Sequence, residues 1–199
     1  MHKLSTRLLL TLAAIGVAGG IVCLPTIYAG TALLATAPPL YGLVVGAYIF
    51  PGVIAQSLLR RGGIAFATAT LAGIVAAPFF PGGVLYIPAF ALVGALQEVP
   101  FAVSAYRYWR GWVFYLAAIV VGLAIAVAEF IAVAGESAPL WVQLVKPGVF
   151  VVSLVVFTAL GRAVASGLDR AGVGRGLSLP ADRRRSKPAR QSVPSKSGS

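Results

Sequence analysis

Residues 86–107 read YIPAFALVGALQEVPFAVSAYR. The run is apolar and long enough to cross a bilayer, whose hydrocarbon core takes about 20 helical residues. Yet Gln97 and Glu98 stand near its middle. A carboxylate at that depth costs about 2.5–3.5 kcal/mol on insertion scales. Such a group usually faces a bundle interior or a water-filled cavity and marks a functional site by default. The stretch therefore predicts a membrane protein with polar chemistry inside it.

Composition supports this. Of 199 residues, 59% are hydrophobic and only 11% charged, with a mean hydropathy of +0.91. A soluble domain carries about 25% charged residues. The expected architecture is an all-α membrane protein, with one bundle over residues 1–167 and a basic tail over 168–199. Cys23 is the single cysteine and His2 the single histidine. An internal disulfide and a cysteine-based metal site are thus excluded, and neither a metal nor a cofactor is expected. The net charge of +11 would suggest nucleic acid until it is mapped. Nine of the basic residues lie from Arg162 onward. This part is rich in Ser, Pro and Gly, too polar for a core, and suited to solvent or anionic lipid headgroups. No nucleic-acid partner is expected.

Taken in order, residues 8–23 form a first span. Within it Ala14/Ala18 and Gly16/Gly20 are interleaved small pairs, which let another helix approach closely. Residues 24–39 contain Pro25, Gly30 and Pro38-Pro39 and predict a long outer loop, of the kind that often serves as a lid. Spans follow at 40–59, with Gly42/Gly46 and a kink at Pro51, and at 64–77. The quoted stretch is the fourth, and 112–134 and 140–167 are the fifth and sixth. Arg60-Arg61-Gly62-Gly63 and residues 79–83 are turns.

Six spans place Lys3, Arg7, Arg60, Arg61, Arg107, Arg110 and the tail on one side. That is 15 of the 16 basic residues, leaving Lys146. The positive-inside rule then puts both termini in the cytoplasm, as in a multi-pass cell-membrane protein. One span more or fewer would scatter the arginines over both faces.

Glu98, Glu129 and Lys146 lie inside spans. Glu129 and Lys146 fall at similar depth on helices joined by a short turn, so they can pair, either as a structural ion pair or in a polar outer cavity. Glu98 reads as deeper and without a cation at its level, which favours a ligand role. Tyr86, Phe90, Gly94, Gln97 and Phe101 recur at helical spacing beside Glu98. Gln143, Lys146, Phe150, Ser153 and Phe157 form a second such stripe. Aromatics interleaved with isolated polar groups suit a flat heteroaromatic ligand. Pro100 and Pro147 each free a backbone carbonyl next to these groups. There is no Walker A lysine motif, nucleophile elbow or zinc-protease motif, so no catalytic residues are expected and the chain is not read as an enzyme.

The segment Leu40-Tyr41-Gly42 through Phe50-Pro51-Gly52-Val53-Ile54-Ala55, the Arg60–Gly63 turn, Gly94-Ala95-Leu96-Gln97-Glu98-Val99-Pro100-Phe101 and Tyr106-Arg107-Tyr108-Trp109 together bring a family into view. Over roughly residues 5–165 the chain resembles the substrate-binding (S) component of energy-coupling factor (ECF) transporters. The likeness is to the YkoE type, associated with thiamine or its hydroxymethylpyrimidine precursor. The resemblance implies a six-helix binding subunit that takes up vitamin from outside. It implies partners too, a transmembrane coupling subunit, met through Ala14 and Ala18, and two ATPases. Glu98 or Glu129 would offset the charge of thiamine, and the aromatics would stack on its rings. The alternatives are an S component for a different vitamin, or a structural subunit of a membrane complex in which Glu98 is a fixed interhelical hydrogen bond.

Overall fold

The computed structural model describes residues 6–132 and 140–173. All regular structure among them is helical. Helix α1 is Thr6–Thr36, α2 is the segmented helix Pro38–Leu59, α3 is Ile64–Ala76, α4 is Tyr86–Val103, α5 is Gly111–Ala132 and α6 is Leu140–Arg170. Five of these are long and apolar enough to cross a membrane, while α3, extended by one turn to Phe79, is a shorter apolar helix. Their large outward-facing apolar residues include Leu10, Ile21, Leu92, Leu123, Ile131 and Val152. So much exposed hydrocarbon on the outward faces of the helices is what a bilayer covers.

The predicted outer loop over residues 24–39 does not form. Helix α1 runs unbroken through Pro25 and Gly30 to Thr36. At 31 residues it spans about 46 Å, well beyond the hydrocarbon thickness. Proline is tolerated in a membrane helix when nearby groups re-satisfy the backbone. Beside Pro25, the Thr26 hydroxyl donates to the Cys23 carbonyl at 2.6 Å, while the carbonyl that Pro25 leaves without its i+4 donor is that of Ile21. Only Pro38-Pro39 ends the helix, and it does so by starting a 3₁₀ turn.

Helix α2 is the centre of the bundle. Its membrane segment is 72% buried, against 28–39% for the other long helices. It is pieced together from a 3₁₀ turn, a short α turn, a second 3₁₀ turn and the regular helix Phe50–Leu59. The irregularity lies at Gly42–Ile49; Pro51 instead sits in the first turn of the regular part, where its missing N–H costs nothing. Around α2 the other helices pack in the order α1, α3, α4, α5, α6.

Small residues set the close approaches. A Cβ on Gly16 or Gly20 would run into Leu71, Val75 and the Ala72 carbonyl of α3, and one on Gly19 into Pro51 of α2. Of the two interleaved pairs in α1, Gly16/Gly20 therefore faces the bundle while Ala14 and Ala18 are exposed. Gly46 brings α2 against α6, where the Ser153 hydroxyl accepts from the Gly46 N–H at 3.1 Å and donates to the Leu43 carbonyl at 2.8 Å. Helix α6 continues to Arg170, past the expected tail boundary, and Leu168 packs beside the cluster of Leu8, Leu12 and Ile64. The expected short turn between the fifth and sixth spans, the N-terminal Lys3 and the tail from residue 174 lie outside the described residues.

Candidate functional site

The sequence-predicted site residues divide between two ends of the bundle. One end carries the turns with Arg60, Arg61, Arg107 and Arg110; the other carries the starts of α2, α4 and α6. From Tyr86 to Glu98 along α4 is about 18 Å. Tyr86, Phe90, Glu129, Lys146 and Phe150 gather at the end opposite the arginines, whereas Gln97, Glu98 and Phe101 sit towards the arginine end.

At the opposite end, Lys146 Nζ donates to Glu129 Oε2 at 3.1 Å, and the two side chains are 17% and 28% exposed. The pairing expected from depth is present. Beside it lies an aromatic cluster. Phe150, fully buried, meets Tyr41 edge-on at 6.2 Å, and Tyr48 packs on Phe90 at 5.2 Å and on Phe80 at 6.3 Å. Phe80 stacks on Tyr86 at 3.7 Å. The Tyr41 and Tyr48 hydroxyls face one another, with Glu129 and Tyr86 in electrostatic reach of Tyr41. Gln143, half-buried, lies one turn before Lys146 on α6.

Sequence reading did not single out Tyr41, Tyr48 and Phe80. The first two lie in the part of α2 where 3₁₀ and α turns alternate, so a 3.6-residue period cannot reveal their common face. Phe80 is in a turn and has no period at all.

At the arginine end the polar side chains are buried and only partly paired: Glu98 Oε2, Gln97 Oε1 and Gln56 Nε2 make no hydrogen bond. Glu98, 7% exposed, accepts the Ala65 N–H on Oε1 at 2.7 Å. Ala65 is in the first turn of α3, where backbone N–H groups have no intrahelical acceptor. A carboxylate there also complements the helix dipole. Gln97 Nε2 donates to Gln56 Oε1 at 3.0 Å, both side chains being buried, and Gly52 leaves the space that Gln97 fills. Phe101 packs on Trp109 and Phe114 at 5.0 and 4.9 Å. Helix α4 ends at Val103 rather than Arg107, so Glu98 is in the last third of the helix, about 3 Å further from its centre than in the 86–107 reading.

A third feature lies on the outer surface of α1. Arg7, Leu10, Thr11, Ala14, Ile15 and Ala18, with Leu168 and Val173, line an open, largely apolar groove of about 430 Å³. Both predicted partner-contact residues are in it.

Residues 8–124 match the family described as "ABC-type cobalt transport system, permease component", and the chain belongs to that family. No curated protein matches the chain in sequence. Among solved structures, a crystal structure of "an S-component of ECF transporter" superposes with a TM-score of 0.82 and 20% identity, over 92% of this chain and 94% of that one. The fold is therefore that of an ECF S component, and the protein is a multi-pass membrane protein of a transport permease family.

Proposed function

We propose that this permease component is the substrate-binding subunit of an ECF-type importer, and that it captures thiamine or its hydroxymethylpyrimidine precursor at the end opposite the arginines. The observation that carries the reading is the partly exposed Glu129–Lys146 pair set against the Tyr41, Tyr48, Tyr86, Phe90 and Phe150 rings. Aromatic faces supply stacking area for heteroaromatic rings and attract a delocalised cation. Glu129 offers a carboxylate to the thiazolium charge or to an aminopyrimidine N–H, and Lys146 is a donor to a ring nitrogen or hydroxyl. The aromatic side chains touch each other here, so ligand entry separates the Pro38–Tyr41 turn from the turns around Phe80.

Orientation follows from charge. With the arginine turns in the cytoplasm, both termini lie inside, the short α3 completes a six-span bundle, and the site opens outward. The groove at Ala14 and Ala18 then receives a helix of the coupling subunit, which two ATPases drive.

The family's description names cobalt. Among the described residues no three His, Cys, Asp or Glu side chains come together, and the candidate site is aromatic instead. This favours an organic ring over a bare metal ion as the cargo. The test is calorimetric titration of the purified protein with thiamine, hydroxymethylpyrimidine and Co²⁺. We expect saturable binding of an organic ligand, weakened about tenfold or more by Glu129→Ala, on the scale of a charge-assisted hydrogen bond. Binding of Co²⁺ alone, or of none of the three, overturns the proposal.

A further inference from the structure

Glu98 stands apart from the proposed ligand site, yet it is the most completely enclosed acid described in the bundle, at 7% exposure. Its surroundings are a set of backbone constraints. Arg60 ends α2 in the left-handed region at φ 45°, and Gly63 opens α3 at φ 79°. Across from this turn, Ala105 and Tyr106 are consecutive left-handed residues at φ 49° and 56°. These three are the non-glycine residues with positive φ among those described, and all lie at the arginine end. Left-handed backbone costs about 1–2 kcal/mol per ordinary residue, so something must hold it.

The holding contacts converge on Glu98. Its Oε1 takes the Ala65 N–H at 2.7 Å. The Tyr106 hydroxyl faces its carboxylate and the Gly63 backbone, while the Tyr106 ring lies where a Cβ on Gly62 would be, within about 3 Å of it. The Tyr106 N–H donates to the Phe101 carbonyl at 2.7 Å, and Trp109 stacks alongside. One carboxylate thus touches α4, the start of α3 and the turn after α4. A basic loop leading into a helix N-terminus is otherwise a place for a free anion; here Glu98 fills it from within. Ile64, next to the capped amide, packs with Leu8, Leu12 and Ile15, and Ile15 lines the α1 groove.

We infer that Glu98 is a positioning residue: it joins the two arginine-bearing turns and the start of α3 into one rigid unit, and through Ile64 it braces the wall of the α1 groove. Its role is mechanical alignment of the face that meets a partner, and it makes no contact with substrate. The coupling part of this inference rests on the function proposed above; the clamp itself does not.

The test is residue-resolved hydrogen exchange of the full-length protein in nanodiscs, for Glu98→Ala, Glu98→Gln and Tyr106→Ala. In Glu98→Ala the amide of residue 65 loses its acceptor, and its exchange rises about tenfold or more. Glu98→Gln keeps an acceptor oxygen and keeps the protection. Tyr106→Ala loosens residues 62–63 and leaves Ala65 protected. Unchanged exchange at Ala65 in Glu98→Ala overturns the clamp, whether or not the protein binds thiamine. Where thiamine binds, its affinity stays within about twofold of wild type in Glu98→Gln and Glu98→Ala, while uptake by cells with the full transporter falls in Glu98→Ala and is rescued by Gln. Should Glu98→Ala fail to fold, Glu98→Gln still decides: lost thiamine affinity there makes Glu98 a ligand contact and ends the proposal.

Discussion

The two ends of the bundle each hold a glutamate among aromatic rings, and they use it in opposite ways. Glu98 is sealed in, with Oε1 held by a backbone amide, Oε2 making no hydrogen bond, and Tyr106 over the turn beside it. Glu129 is 28% exposed and satisfied by Lys146, a partner on a flexible stem. A carboxylate held by a helix amide cannot leave without unmaking the helix start. A carboxylate held by an ammonium can exchange that cation for another. On the proposed function, burial depth alone does not identify a ligand site; what matters is whether the partner is replaceable.

The strongest challenge to this comparison is at the closed end. A Cβ on Gly52 would run into Gln97 Oε1, the end of a side chain whose Nε2 donates to the Gln56 amide oxygen. Gly52→Ala is expected to cost about 2 kcal/mol by overpacking, with ligand affinity unchanged, read by thermal unfolding in detergent alongside calorimetry. Loss of affinity without loss of stability would mean that the inner layer belongs to the ligand site after all.

A charge swap sharpens the other end. Glu129→Lys with Lys146→Glu restores an ion pair, so unfolding should return to within about 1 kcal/mol of wild type, since partly exposed pairs contribute little more than that. Thiamine affinity should stay at least about tenfold down, because the carboxylate has moved to another helix. Recovery of both would reduce the pair to a structural one.

The smallest expected effect concerns Tyr106. Burial, and then the neighbouring Glu98 carboxylate, hold its phenol above the ordinary value. A raised folded-state value means that the unfolded chain ionises first. The protein therefore loses stability as pH rises through about 10, the unperturbed tyrosine value, and keeps it below. Tyr106→Phe should flatten that alkaline slope in pH-dependent unfolding.

Most helices were legible from hydropathy and punctuation. The turn at residues 60–63 and the ends of α3 fell where glycine and proline put them. The exception, α1, shows the limit of punctuation. Pro25 and Gly30 break helices in water, but inside a bilayer an unpaired backbone has no solvent to turn to, so the helix continues. The Glu129–Lys146 pair was legible because both residues lie near one short turn. Ending α4 at Val103 rather than Arg107 sets Glu98 only about 3 Å further from the helix centre, towards the arginine end; what spacing could not reveal is that its partner is the first turn of α3.

The sequence by itself determined that this chain lives in a membrane, which ionisable residues its helices carry, and that the arginines of its turns gather at one end. Those are properties of composition and of spacing along one chain, and transfer energies act on them directly. Only the tertiary structure decided that α2 is the core, that Tyr41 and Tyr48 join Glu129 and Lys146, and that Glu98 caps α3. Each of these depends on which helices are neighbours, and that is set by small-residue approaches at Gly16, Gly20 and Gly46, where two distant surfaces must fit at once.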